Sequence, residues 1–116
     1  MPTRPSLPDT AVAAVRRYCD DKIPAQHLDE IRVEYSVRGK SITIYECRPP
    51  WHPSLGPDWT RQPVAQLRYD PADHQWRLYC ADRNSRWHYY DMAEPTPHLN
   101  ELLDEIDEDP TGIFWG

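Results

Sequence analysis

Glu46, Arg48 and His52 are the three residues whose types and spacing could do acid–base and anion chemistry together. Glu46 and Arg48 are two positions apart, so in a strand both side chains leave the same face, and His52 follows within a loop's reach. Glu46 would act as acid or base, Arg48 would hold an anion through paired N–H donors, and His52 would shuttle protons. Residues 49–63, which hold five prolines, would roof such a pocket, since proline fixes φ and removes a donor. A loop of that length within a small domain is often a functional one. The simpler reading is a structural ion pair of Glu46 and Arg48 with each other, or with Asp82 or Arg83, because an unpaired charge at the rim of a core is costly. His52 has no evident base or nucleophile beside it. Trp51 and Trp59 are expected to pack down and anchor the loop.

A second set of residues reads as a surface rather than a reaction centre. The stretch Trp76 to Tyr90 is the densest in Trp, Tyr and Arg, and it alternates as two strands joined by a polar turn, Asp82 to Ser85. Trp76, Leu78 and Cys80 fall on one side, with Arg77, Tyr79 and Ala81 on the other. Continuing the alternation by hydrophobicity puts Trp87 and Tyr89 inward, with Arg86, His88 and Tyr90 outward. Together with Arg68 from the preceding strand, the predicted binding residues are Arg68, Arg77, Tyr79, Arg86, His88 and Tyr90. Arg32, Arg38 and Tyr45 extend the same face. Tyrosine and arginine combine large contact area, few rotamers and hydrogen bonding, as interfaces require. The expected partner is another protein or a second copy of this chain, and single-stranded nucleic acid is the alternative.

The elements that must position these residues are legible from periodicity. Asp9 or Thr10 can cap a helix carrying Val12, Val15 and Tyr18–Cys19, which Pro24 limits, and residues 25–30 add a short helical turn. Ile31, Val33, Tyr35 and Val37 alternate as a first strand. Gly39-Lys40 makes a turn, and Ser41 to Arg48 returns with Ile42 and Ile44 inward. Val64 to Tyr69 is the third strand, with Ala65, Leu67 and Tyr69 inward. Near the end, Thr96 caps and Pro97 opens a helix whose Leu99, Leu102, Leu103 and Ile106 fall at i, i+3, i+4 and i+7. Asp109-Pro110 stops it, and Ile113-Phe114-Trp115 folds back onto the core. The predicted architecture is α+β: an N-terminal helix, a five-stranded antiparallel meander sheet and a C-terminal helix, both helices on one sheet face. Residues 1–8, with three prolines, are expected to be a flexible arm before a single domain over 9–116.

Composition narrows the function classes. The 116 residues carry a formal charge of −6, divided as −1 over residues 1–31, +3 over 32–90 and −8 over 91–116. The acidic total argues against nucleic acid, but the central segment alone does not. Three cysteines, Cys19, Cys47 and Cys80, have no metal-type spacing, and an odd count without a signal peptide predicts reduced thiols in a cytoplasm. No apolar run approaches the roughly 20 residues of a membrane span. There is no phosphate-loop, dinucleotide, zinc or serine-nucleophile motif and no repeat, so neither a metal nor a cofactor is predicted.

Several stretches carry a resemblance. Glu46-Cys47-Arg48-Pro49-Pro50-Trp51, Trp76-Arg77-Leu78-Tyr79, Trp87-His88-Tyr89-Tyr90 and the ending Asp109-Pro110-Thr111-Gly112-Ile113-Phe114-Trp115-Gly116 together resemble the bacterial domain-of-unknown-function family numbered 3024. The resemblance implies a small free-standing domain and brings no established activity.

Overall fold

In the computed structural model, which describes residues 7–116, the chain order is helix α1 (Asp9–Lys22), strands β1 (Arg32–Arg38), β2 (Ser41–Arg48), β3 (Thr60–Asp70), β4 (Gln75–Ala81) and β5 (Trp87–Tyr89), then helix α2 (Leu99–Glu108). Short 3-10 turns at Ala25–His27 and Pro53–Leu55 interrupt the connections. The five strands form one sheet in the order β1-β2-β3-β4-β5, each neighbour antiparallel, which is the predicted meander. The β1–β2 hairpin closes at Gly39, whose φ of 59° is the left-handed value that glycine reaches without steric cost.

Register sorts the side chains into two faces. Tyr35 opposes Ile44, Ile42 opposes Leu67, Ala65 opposes Cys80 and Leu67 opposes Leu78, so these residues share one face. Val15 and Cys19 of α1 and Leu99, Leu102, Leu103 and Ile106 of α2 pack onto that same face in a single core. The α2 stripe keeps the helical spacing that turns one side of the helix toward the sheet and leaves Glu101, Asp104 and Glu108 exposed. Ile42, Ile44, Leu67, Leu78, Leu102 and Ile106 are fully buried. Each such side chain contributes about 1.5–3 kcal/mol by leaving water.

Both helix starts differ in detail from the expected caps. The α1 helix begins directly after Pro8, whose carbonyl accepts the Ala11 and Val12 amides, and neither Asp9 nor Thr10 caps it. Asp9 lies in the first turn instead, where its charge faces the positive end of the helix dipole. Before α2, Thr96 is drawn onto the sheet by paired backbone bonds to Trp76 (2.7 and 3.1 Å). Its Oγ1 accepts from the His98 amide and contacts Glu101 at 2.6 Å, so the helix starts at Leu99 rather than Pro97. Of the expected arm, Leu7 is buried in the core, and residues 1–6 lie outside the described residues.

The C-terminal segment folds back through Phe114 and Trp115, while Ile113 of the expected trio stays exposed. Asp109 takes a left-handed conformation (φ 44°), and its carboxylate accepts the amides of Phe114 (3.0 Å) and Trp115 (2.8 Å). Phe114 then packs against Tyr90, and the Trp115 indole donates to the Ile106 carbonyl at 3.1 Å. Lys22 ties α1 to this end, 2.9 Å from Asp107 and over the Trp115 ring. The ammonium holds the Asp107 carboxyl below its usual range.

The Pro-rich loop is shorter than expected, because Thr60–Pro63 belong to β3. Proline cannot complete a ladder, and the strand accommodates Pro63 through a bulge. Ile44 pairs with Ala65 but Tyr45 pairs with Pro63, leaving Val64 as the extra residue, buried in the core.

Candidate functional site

With both helices on one side, the other side of the sheet is left open, and strand register names its residues. Arg32, Glu34, Ser36 and Arg38 of β1 lie beside Cys47, Tyr45, Thr43 and Ser41 of β2. Beyond the bulge Arg61 is opposite Cys47, while Gln66 and Arg68 join Tyr79 and Arg77 of β4. The far edge is Trp87 and Tyr89 of β5, opposite Ala81 and Tyr79.

Three arginines of this face lie over aromatic rings. The Arg68 guanidinium is 3.7 Å from the Tyr79 centroid, Arg61 is 3.9 Å from Tyr45, and Arg32 is 4.1 Å from Trp59. Guanidinium planes stack there because the ring faces are electron-rich and the ion is weakly hydrated. Tyr89 meets Tyr79 edge-on at 5.6 Å and keeps 44% of its surface exposed. The face carries five arginines (Arg32, Arg38, Arg61, Arg68 and Arg77) against two strand carboxylates, Glu34 and Asp70. Glu34 contacts Arg61 at 3.8 Å, and Arg77 is held by Asp73 (2.7 Å) and Asp70 (3.7 Å) at the end of the β3–β4 hairpin. The Arg77 guanidinium in turn holds the Asp73 carboxyl below its ordinary range. Among the described residues, Arg32, Arg38 and Arg68 have no carboxylate partner.

A concavity of about 280 Å³ opens in this face, lined among others by Ser36, Arg38, Thr43, Tyr45, Gln66 and Trp87. Its polar floor is a relay: Arg68 Nε donates to Gln66 Oε1 (2.7 Å) and Gln66 Nε2 donates to Thr43 Oγ1 (2.9 Å). The Ser36 and Tyr45 hydroxyls bond each other at 3.1 Å. After these bonds Gln66 keeps one N–H, Thr43 keeps its O–H, and the hydroxyl pair keeps one more O–H.

Of the six predicted binding residues, Arg68, Arg77 and Tyr79 share the open face, and Arg86, His88 and Tyr90 do not. The correction comes from the turn. It runs from Asp82 to Arg86, one residue longer than Asp82–Ser85, and a one-residue shift sends every side chain of the following strand to the other face. Asp82 builds the longer turn, its Oδ1 accepting the amides of Asn84 (2.8 Å) and Arg86 (3.0 Å), with Ser85 in a left-handed conformation. Arg86 therefore belongs to the turn. His88 pairs with Cys80 on the core-side parity and bonds Asp82 Oδ2 through Nε2 at 2.8 Å. That bond and the Arg86 amide lower the Asp82 carboxyl to about 2. Tyr90 is buried against Phe114, its hydroxyl donating to Glu105 at 2.6 Å, and burial together with Glu105 pushes its phenol up to about 12.

The acid–base trio does not assemble. Glu46 and Arg48 pair at 3.4 Å, the structural reading of that spacing. His52 is exposed, and its Nδ1 is spent on Ser54, accepting the amide at 3.1 Å and contacting the hydroxyl at 2.7 Å. Trp51 is 86% exposed rather than packed down, because the loop folds on itself at Pro53–Leu55 and the indole meets His52. Trp59 is half-buried under Arg32 as expected. A concavity of about 260 Å³ does border Glu46, but Gln62, Asp82, Arg83 and Phe114 line it, and neither Arg48 nor His52 reaches it. A wider groove between α1 and α2, about 630 Å³, has its charges partly paired across it, as in Lys22–Asp107.

Sequence reasoning missed Arg61, Trp87 and Tyr89. Arg61 was hidden by Pro63, and the two aromatics by the turn length. Among the described residues, no group of three or more His, Cys, Asp or Glu is arranged to hold a metal ion, and no helix is long and apolar enough to cross a membrane.

Fold and face together define a small α+β domain in which a five-stranded antiparallel meander is covered by two helices on one side only. The chain belongs to the family described as Domain of unknown function (DUF3024), whose profile matches residues 4–116, nearly its whole length. No curated protein and no solved structure matches it.

Proposed function

We propose that this domain is a non-enzymatic binding module whose open sheet face receives an anionic partner. One observation carries the reading: charge is segregated across the sheet. Five arginines and two strand carboxylates, Glu34 and Asp70, lie on the open face, while the acidic residues of α2 lie beyond the sheet on the covered side. The five acidic residues of α2 therefore do not confront a ligand on the arginine face, although they weigh heavily in the net charge of −6. Arginines already stacked on aromatic rings lose little further freedom when a partner binds, which lowers the cost of association.

Retention on a heparin matrix at low salt tests this reading. A protein of this net charge with no basic face passes straight through. The reading expects retention that Arg38→Glu combined with Arg68→Glu abolishes. The charge-matched pair Arg16→Glu and Arg17→Glu on α1 should leave retention nearly unchanged. Equal losses from both pairs, or no retention of the unaltered chain, would sink it.

A further inference from the structure

We propose that the open face binds single-stranded nucleic acid and that the concavity beside Trp87 seats one pyrimidine base by its carbonyl edge. This rests on the reading of the face as an anion-binding surface and names the partner.

Three observations converge on it. The first is the pairing of cation and ring across the sheet. Arg32 over Trp59 and Arg61 over Tyr45 lie toward one end of the strands, and Arg68 over Tyr79 lies toward the other, beside the exposed Tyr89. Single strands are held by this combination, cations for the phosphates with aromatic or guanidinium planes for the bases. Five strands about 4.8 Å apart give a face roughly 20 Å across, enough for a few nucleotides. An acidic polypeptide would use the arginines but has little need of the Trp87 and Tyr89 rings beside them.

The second is the size of the concavity. At about 280 Å³ it falls below the roughly 300–1,000 Å³ usual for small-molecule pockets and suits one flat ring better than a whole cofactor. Trp87 supplies an indole surface at its border and Arg38 a cation.

The third is the chemistry of the floor. The relay from Arg68 through Gln66 to Thr43 orients the groups and leaves donors: the second Gln66 N–H, the Thr43 hydroxyl and one hydroxyl of the Ser36–Tyr45 pair. A donor-lined floor fits the carbonyl oxygens of thymine or uracil. Adenine instead presents an N6–H2 donor beside its ring-nitrogen acceptors, so a donor-lined floor matches its edge less well.

Fluorescence anisotropy tests the proposal on the full chain. Short labelled oligothymidylate and oligouridylate would be compared with oligoadenylate, a DNA duplex and a base-free polyphosphate of matched charge. The expected result is salt-dependent binding, with both pyrimidine strands held about tenfold or more tightly than polyphosphate, since base stacking adds to the phosphate contacts. Trp87→Ala should weaken pyrimidine binding about tenfold while leaving polyphosphate unchanged, and Trp87→Phe should keep most of the affinity. Arg38→Ala should weaken all strands alike and lower the salt slope by about one. A preference for one of the two pyrimidine strands would assign the ligand to DNA or RNA. Polyphosphate bound as tightly as the strands would overturn base recognition and leave the anion-binding reading in place. Failure to bind any of these polyanions, or a stable dimer in light scattering with the arginine face protected, would overturn both.

Discussion

The Arg68 guanidinium lies 3.7 Å from the centre of the Tyr79 ring, on the sheet face opposite both helices. Arg68 Nε also reaches Gln66 at 2.7 Å, so the plane is fixed by a ring below and an acceptor beside it. A long cation held in this way presents a preset surface, whereas a solvated arginine must be ordered by whatever binds it.

The stack should be measurable without any ligand. A double-mutant cycle of Arg68→Ala and Tyr79→Ala, followed by urea unfolding, is expected to give a coupling of about 0.5–1 kcal/mol, the range for a partly exposed cation–π pair. Strict additivity would mean that the pair does not hold in solution.

The hairpin that carries this face explains what was legible beforehand. The helix stripes, the meander and the core of β2 to β4 follow from periodicities of 3.6 and 2 that solvent imposes on any half-buried element, and Ile42, Leu67, Leu78 and Ile106 stand where the pattern puts them. Burial by parity also gave Arg68, Arg77 and Tyr79 correctly. It failed at β5, because parity there depends on the number of residues in a turn, and that number is set by which amides Asp82 accepts. It failed again at Arg61, because Pro63 reads as a strand breaker unless a bulge at Val64 absorbs it.

Trp51 and Phe114 should behave oppositely. Trp51 is 86% exposed and Phe114 is 7% exposed. Trp51→Ala is expected to change stability by no more than about 0.5 kcal/mol, and Phe114→Ala to cost roughly 3–5 kcal/mol. Chemical denaturation compares them directly, and a Trp51 cost as large as that of Phe114 would show that the loop packs against the domain.

Acid should loosen the hairpin and the helix pair. The Asp82 carboxyl is lowered to about 2 by His88 and the Arg86 amide, and Asp107 is lowered by Lys22. A carboxyl whose folded value lies below its unfolded one stabilises the fold above the unfolded value, about 3.9, and that contribution fades as pH falls through the folded value. The urea midpoint is therefore expected to drop between about pH 4 and pH 2, and to drop less in Asp82→Asn and Asp107→Asn. Equal acid slopes in all three chains would contradict the assignment.

The thiols should be inert. Cys19, Cys47 and Cys80 are unpaired and buried, and burial raises all three, Cys19 to about 12. A thiolate reagent at pH 8 is expected to label the native chain far more slowly than the urea-unfolded chain, because it needs both access and ionisation. Rapid labelling of Cys47 in the native chain would mean that the flanking Arg32 and Arg61 do not close over it.

The central claim is that the arginine-bearing face is the contact surface. The most direct measurement is an amide chemical-shift titration of the labelled domain with a short heparin fragment. The account predicts shifts clustered on β1 to β5, at Arg38, Thr43, Gln66, Arg68, Tyr79 and Tyr89, with α1 and α2 unmoved. Shifts confined to the groove between α1 and α2, or none at saturating fragment, would contradict it.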